Sequence, residues 1–365
     1  NQFTESYKQY RNNWNQQPKI CIRERYLSQE MRLKNLTPLC IDIETAALCD
    51  LACPFCFRQF LATPDKLIDP AFCYSVIDQA AELGVPSIKF NWRGEPLLHP
   101  KLPEFIAYAK KKGILETIIN TNATRLNEKM AKNLIVAGLD FMIYSFDGGT
   151  KETYEKMRPG RFKKNDFETV YENIKRFSDI RKQTNSALPY TKIQMVLTKE
   201  SFAEKELFFN LFSQYVDDVS VSQYTERGGG ISDIDEEARA IYERGLLEHG
   251  LPEGTPYMRD PQGNLFLSKQ RKPCEQPFQR LLVTFEGRVG MCCFDWGATH
   301  PIGYLKEEAY RNEAEYDKIV GRSKSGGKGY ELLSNVKKSK AFNTPAEKIQ
   351  TLAEIWYGSE IDMVR

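Results

Sequence analysis

The sequence predicts an α/β fold, a partial (β/α)6 barrel of parallel strands followed by a smaller C-terminal α+β domain that contains a β-hairpin. Short apolar runs rich in β-branched residues alternate with longer helical patterns from about residue 39 to about residue 250. The pattern then breaks at a Gly/Pro-rich passage, LPEGTPYMRDPQGN, that starts at Leu251. A hairpin-like segment from Leu281 to Cys292 follows, folded at Glu286-Gly287.

The expected organisation is an N-terminal helical extension over residues 1–38, the barrel over 39–250 and the smaller domain over 251–365. The expected strands are Leu39 to Glu44, Ser87 to Asn91, Glu116 to Asn120, Phe141 to Phe146, Lys192 to Leu197 and Asp218 to Gln223. Helices follow them: Asp69-Pro70 opens the first with Pro near its start, His99-Pro100 precedes the second and Asn127-Glu128 the third. The fourth runs from about Phe167 to Arg181, with Glu and Lys at helical spacing. In a sheet of this kind reactive groups gather beyond the carboxyl ends of the strands, so the loops after the strands are where chemistry is expected. The stretch GRSKSGGKGYE, residues 321 to 331, reads as a solvated surface loop.

Hydrophobic residues make up 41% of the 365 residues, enough for a sizeable core. With 51 Lys and Arg against 49 Asp and Glu, no global positive field holds the chain on phosphates, and a nucleic-acid partner is not expected. No apolar run approaches the roughly 18 to 20 residues of a membrane span, and the opening NQFTESYKQYRNNW has no basic segment followed by an apolar one. The expected compartment is the cytoplasm, without a membrane partner. His99, His249 and His300 are too scattered to form a histidine zinc motif.

Nine cysteines, an odd number without a secretion signal, favour metal ligation or redox chemistry over a disulfide framework. Directly after the first strand, CIDIETAALCDLACPFCFRQF places Cys49, Cys53 and Cys56 in a C-x3-C-x2-C arrangement. Thiolate sulfur is soft and polarizable, and a loop with these spacings can wrap one corner of an iron-sulfur cubane, leaving one iron open. The alternative is a set of buried small hydrophobes or part of a zinc knuckle. Zinc wants a fourth ligand nearby, and the next cysteine, Cys73, falls inside the first helix. Cys21, Cys40 and Cys73 read as buried structural thiols.

These residues resemble the radical S-adenosylmethionine (SAM) superfamily, whose C-x3-C-x-aromatic-C loop is matched with Phe55 at the aromatic position. The resemblance extends over roughly residues 39 to 225. NWRGEPLLHP, after the second strand, is similar to the family's Gly-Glu segment and implies that Gly94, Glu95 and Pro96 receive the methionine amino group of SAM. The family more often has Gly where this chain has Trp92 or Arg93. YSFDGGTKETYEKMR is similar to the family's Ser-x-Asp-Gly segment, which puts Ser145 and Asp147 near the ribose and makes Arg158 a candidate for the methionine carboxylate. A planar guanidinium suits that task, while a helix-surface ion pair with Glu155 is the alternative. Asn120, Thr121 and Asn122 end the third strand and either touch cofactor or substrate or make the turn. The resemblance implies a [4Fe-4S] cluster with one open iron, SAM, and a flavodoxin- or ferredoxin-like electron donor. In that chemistry the open iron chelates SAM, one electron enters, and the sulfonium-carbon bond breaks to give methionine and a 5'-deoxyadenosyl radical that abstracts hydrogen.

In CEQPFQRLLVTFEGRVGMCCFDW, Cys274 precedes Gly287 by thirteen positions and Cys292 follows it by five, so the hairpin returns the second thiolate toward the first. This resembles the opening half of the SPASM/twitch domains, which carry auxiliary iron-sulfur clusters, and implies Cys274, Cys292 and Cys293 as ligands. Successive strand residues face opposite ways, so Cys293 is a further ligand, a hydrogen-atom donor or a core residue. The alternative is a hairpin with incidental cysteines. Family members supply more cluster cysteines after a segment like LAEIWYGSEIDMVR. The auxiliary domain is therefore expected to be incomplete at Arg365, with a Cys-x2-Cys element to follow; the alternative is a degenerate cluster completed locally, or none.

The expected function is a radical SAM oxidoreductase that abstracts hydrogen from a carbohydrate-like small molecule or a peptide side chain, with dehydrogenation or cross-linking assisted by the auxiliary cluster. A radical epimerase using Cys293 as hydrogen donor and a noncatalytic iron-sulfur or zinc-binding module are the alternatives.

Overall fold

The structure is a computed structural model that describes residues 4–23, 36–56, 58, 65–223, 257–259, 265–267, 274–291, 293, 295, 297–298, 300–311, 349–362 and 365. After helix α1 (Glu5–Arg23) the chain enters the first of six parallel strands, β1 (Cys40–Ile43), β2 (Ser87–Lys89), β3 (Glu116–Thr121), β4 (Phe141–Ser145), β5 (Tyr190–Leu197) and β6 (Asp218–Gln223). They pair in sequence order, each parallel to the next, in a sheet that curls without closing. This is the expected partial barrel. Strand β2 stops short of the expected Asn91 because the Asn91 side chain leaves the ladder and accepts a hydrogen bond from Asn120 N at 2.9 Å.

The helices start where capping chemistry dictates. Asp69 accepts from Phe72 N ahead of α2 (Pro70–Glu82), and Pro70 occupies its first turn, where no donor is lost. Helix α3 (Leu102–Lys111) follows His99, whose Nδ1 accepts from Lys101 N at 3.2 Å. Asn127 caps α4 (Glu128–Val136) through Met130 N, Thr150 caps α5 (Lys151–Met157), and Asp166 caps α6 (Phe167–Gln183) through Thr169 N. The short α7 (Lys199–Phe202) and α8 (Lys205–Phe212) complete the layer.

Alternation along the strands gives the sheet two different faces. Ile41, Ile43, Ile88, Ile119, Met142, Tyr144, Ile193 and Met195 join one core with the helices, each burial worth roughly 1.5 to 3 kcal/mol for an aliphatic or similar side chain. The opposite, lumen face carries Lys89, Asn120, Ser145 and Gln194, all half-buried. A closed barrel fills its interior with branched apolar side chains. Here the face is mixed, with Ile118, Ile143 and Val196 alternating among the polar side chains, and it is only half-buried.

The floor of the lumen is covered by α1. The hydroxyls of Tyr7 and Tyr10 donate to the buried Glu116 at 2.8 and 2.9 Å, and Gln17 Nε2 donates to Phe278 O at 2.7 Å.

Beyond β6, two short antiparallel strands, β7 (Tyr257–Arg259) and β8 (Leu265–Leu267), form within and just after the Gly/Pro-rich passage. The expected hairpin is present as β9 (Arg280–Val283) and β10 (Arg288–Gly290), turning at Gly287 with φ +104°. It does not stand apart from the barrel. Strand β9 lies parallel to β1, with Cys40 opposite Arg280 and Ile43 opposite Val283, and β11 (Gly303–Tyr304) continues the sheet beyond β10. The sheet therefore runs across the expected boundary at residue 251, because Leu281, Val283 and Val289 bury their side chains in the barrel's own core. Helix α9 (Glu307–Arg311) comes next, then α10 (Leu352–Trp356) and α11 (Ser359–Asp362). Helix α10 docks on α2 through Leu352 N and Gln79 Oε1, at 2.9 Å, and Trp356 donates its indole N–H to Leu36 O at 2.8 Å. The loop over residues 321–331 lies outside the described residues.

Candidate functional site

The loop after β1 carries Cys49, Cys53 and Cys56 at the carboxyl end of the sheet, all as free thiols. Cys56 N donates to Cys53 O at 3.0 Å, a turn that brings the last two together. The loop is fastened from three sides. Ala52 N donates to Pro159 O at 2.8 Å, Arg161 N to Asp50 O at 2.8 Å and Glu95 N to Leu48 O at 2.9 Å. Asp50 in turn accepts from Asn122 Nδ2 at 2.9 Å and Thr124 Oγ1 at 2.7 Å, which ties the loop to the end of β3.

Burial pushes the Cys49 thiol up to about 12, helped by the charges of Glu95 and Asp50 and by Cys56. Cys53, nearly inaccessible, is pushed up as well, against the pull of the Arg158 guanidinium. Burial thus disfavours the thiolate form of Cys49 and Cys53, and a bound cation would favour it. The three sulfurs are not all within 4.8 Å of one another, so they do not close round one ion. Zinc held at about 2.3 Å from each sulfur would require that closure. A cluster that gives each sulfur its own metal does not, and the donor set fits a cluster better than a zinc knuckle.

Behind the loop lies the segment from Trp92 to Pro96. A Cβ on Gly94 would overlap Ala46 O and Leu48 O, so only glycine lets the two backbones approach this closely. Glu95 is 2% exposed and accepts from Leu97 N at 3.0 Å, Thr121 Oγ1 at 2.7 Å and Asn122 N at 2.7 Å. Burial pushes its carboxyl up to about 7 against those donors. Both carboxylate oxygens therefore engage the end of β3, and Pro96 opens a short 3-10 turn, Pro96–Leu98.

Ser145 ends β4 beside Gln194. Asp147 is fully buried and accepts from Val196 N at 2.6 Å, while its Oδ2 takes Arg158 Nε at 2.7 Å and Nη2 at 2.5 Å. Arg158 is not on the helix surface with Glu155, which pairs instead with Lys151 and Lys164. It turns inward, 7% exposed, with its guanidinium 6.0 Å above the Phe55 ring and its charge felt at Cys53. Thr121 and Asn122 make the turn after β3, accepting from Ala123 N and Thr124 N at 2.9 and 3.0 Å. Asn120 has a buried Oδ1 without a hydrogen-bond partner.

The structure thus brings Cys49, Cys53, Cys56, Phe55, Gly94, Glu95 and Arg158 together at one mouth. Of the second group, Cys274 is exposed ahead of the turn Gln276–Phe278, and Cys293 is half-buried after β10, within electrostatic reach of Arg280. Cys292 lies outside the described residues. Sequence reasoning passed over Asp50, Glu44 and Lys89. Asp50 stands inside the cysteine loop and could have been suspected there, whereas Glu44 and Lys89 carry no local signal.

Residues 43–209 match the family model of the Radical SAM superfamily. The chain is similar to a tungsten-containing aldehyde ferredoxin oxidoreductase cofactor-modifying protein of Pyrococcus furiosus, 27% identical over 188 residues, 49% of this chain and 50% of that protein. It is also similar to a PqqA peptide cyclase of Xanthomonas oryzae pv. oryzae, 38% identical over 104 residues, 28% of this chain and 27% of that protein. These matches span about half or less of the curated relatives' lengths. Among solved structures, Streptococcus suis SuiB bound to precursor peptide SuiA superposes with a TM-score of 0.53 at 17% identity, over 74% of this chain and 63% of that one. At that identity the likeness concerns the fold.

Proposed function

On the premise that this is a radical SAM superfamily enzyme, with its domain at residues 43–209, we propose that it modifies a peptide side chain or a carbohydrate-like small molecule by hydrogen abstraction. The observation that carries this reading is the packing of the backbone of the three-cysteine loop against Gly94-Glu95 at the mouth of a half-barrel that does not close. Cys49, Cys53 and Cys56 would hold the [4Fe-4S] cluster beside SAM, and this pair, when bound, supplies one-electron, hydrogen-abstracting chemistry.

The chain's own residues have separate tasks. Gly94 lets the cofactor segment lie against the cysteine loop. Arg158, gripped along one edge by Asp147, keeps a positive charge beside Cys53 and under the aromatic face of Phe55, where it offsets the negative charge of ligated thiolates and can face a carboxylate. Ser145 stands at the same end for the ribose. Helix α1 seals the floor, which keeps bulk water from one end of the lumen. Lys89, Asn120 and Gln194 suit a polar substrate better than an apolar one.

A peptide is the favoured substrate, since the relatives and neighbours include proteins named for a peptide cyclase and for a bound precursor peptide. Cys274, Cys292 and Cys293 would ligate an auxiliary cluster, which when bound would supply one-electron oxidation suited to dehydrogenation or cross-linking. A flavodoxin- or ferredoxin-like protein would deliver the first electron. The half-buried Cys293 also favours a second reading, epimerisation with that thiol as hydrogen donor.

The test is anaerobic reconstitution with iron and sulfide, then dithionite and SAM. Release of 5'-deoxyadenosine and methionine supports the proposal; an iron-loaded protein that leaves SAM intact overturns it. With substrate in deuterium oxide, deuterium at carbon in the product selects epimerisation over oxidation.

A further inference from the structure

Along β2, Ile88 lies fully buried in the core shared with the helices, so its neighbour Lys89 falls on the lumen face, where it is half-buried. The register sets Asp42 of β1 on one side of Lys89 and Ile118 of β3 on the other. Each acidic side chain near it is already engaged. Asp42 takes Arg280 at 3.1 Å, and Glu44 takes Arg93 at 2.6 Å. Glu116 accepts two tyrosine hydroxyls. Among the described residues nothing forms an ion pair or hydrogen bond with Lys89. Lys89 therefore enters no ion pair of its own on this face.

Lysine is depleted in strands, and a half-buried lysine without an ion pair adds little to the fold here. A compact charge on a long stem is, however, suited to following an anionic group into a cavity. Two residues beyond Ile118 on the same face of β3 stands Asn120, whose buried Oδ1 lacks a donor. A cation in need of an anion and an acceptor in need of a donor therefore share one wall of the half-barrel.

We infer that Lys89 binds a carboxylate of the substrate while Asn120 Oδ1 accepts an N–H or O–H of the same molecule. This assigns the substrate class as acidic: a peptide presenting an Asp or Glu side chain, or a carboxylated sugar. The inference rests on the lumen being the substrate cavity of the proposed function and narrows what enters it.

The test uses the full chain loaded with iron and SAM. Brief treatment with limiting acetic anhydride acetylates accessible lysines, read by peptide mass spectrometry, with the exposed Lys132 as internal reference. Four probes are compared: the peptides Gly-Glu-Gly and Gly-Gln-Gly, and the sugars glucuronate and glucose. The acidic member of at least one pair should slow acetylation of Lys89 several-fold without affecting Lys132, and which pair responds separates peptide from sugar. Equal protection by acid and neutral partner, no protection by any probe, or a Lys89 that resists acetylation without probe each overturns the inference. In equilibrium dialysis the protecting acid should bind Lys89→Met about tenfold or more weakly than the parent protein, as expected for loss of a hydrogen bond to a charged group. An unchanged affinity overturns it as well. The same preparation is assayed for release of 5'-deoxyadenosine on reduction. Absence of that product strikes at the radical reading, while the labelling pattern still decides Lys89.

Discussion

The guanidinium of Arg93 meets the carboxylate of Glu44 as a fork, Nε to Oε1 at 2.6 Å and Nη2 to Oε2 at 2.8 Å, with both side chains all but inaccessible. Glu44 follows β1 and leads into the cysteine loop; Arg93 immediately precedes Gly94. The same Glu44 Oε2 accepts from Phe285 N, 3.3 Å away at the tip of the β9–β10 hairpin, and Arg93 also lies 4.1 Å over the Trp92 ring. One ion pair thereby fastens the thiol loop, the Gly-Glu segment and the hairpin. Loss of the Arg93 side chain would leave Glu44 buried without its cation.

Replacing Arg93 by Met should destabilise the protein by about 3 to 5 kcal/mol, because an unpaired carboxylate would remain buried. The double variant Arg93→Met with Glu44→Leu should recover most of that loss, since a well-packed apolar pair can replace a buried ion pair. Urea denaturation of the three proteins measures both steps, and a double variant no better than the single one contradicts the argument.

Gly94→Ala should part the cofactor segment from the cysteine loop, because its methyl group overlaps the backbone oxygens of Ala46 and Leu48. Overpacking of this kind costs about 1 to 3 kcal/mol. The variant should retain its circular dichroism yet show weakened SAM binding, measured by equilibrium dialysis.

The triple variant Cys49→Ala, Cys53→Ala, Cys56→Ala should lose SAM cleavage entirely while keeping some iron. Retained iron, seen by metal analysis and Mössbauer spectroscopy, would belong to Cys274, Cys292 and Cys293. A protein wholly free of iron would refute the auxiliary cluster.

Asp217 should be one source of acid sensitivity. Burial alone would raise its carboxyl, but donation from Arg181, Thr191 N at 2.7 Å and Thr191 Oγ1 at 2.8 Å outweighs that and holds it below the usual carboxylate range. The unfolded chain therefore takes up this proton first. The stability contributed by Asp217 is complete above the ordinary Asp value of about 3.9 and is lost as pH falls through the lower native value. Asp217→Asn should flatten this part of the stability profile, followed by denaturation at a series of acid pH values.

Local chemistry made much of the site legible in advance. The spacing of Cys49, Cys53 and Cys56, Phe55 beside them, and Gly94-Glu95 after the second strand are contiguous words in the sequence, and the structure sets them in one mouth. The orientation of Arg158 was not legible. A residue at the end of a helix can turn to Glu155 on the surface or inward to Asp147, and only the position of β4 beside α5 selects the second. Nor was the attachment of the hairpin legible, since nothing within Leu281 to Val283 says that its strand partner lies at Ile41 to Ile43.

The sequence by itself determined the periodicities, the helix caps at Asp69, Asn127 and Asp166, and the set of sulfur donors, because each depends on residues a few positions apart. Tertiary structure alone decided which charges neutralise each other: Arg93 with Glu44, Arg158 with Asp147, Arg280 with Asp42, and Lys89 with none of the described residues. The physical reason is that an ion pair forms over a few ångströms of space, whatever the distance along the chain. Strand register, which brings residues as far apart as Asp42 and Arg280 to that range, is set by the packing of the whole sheet.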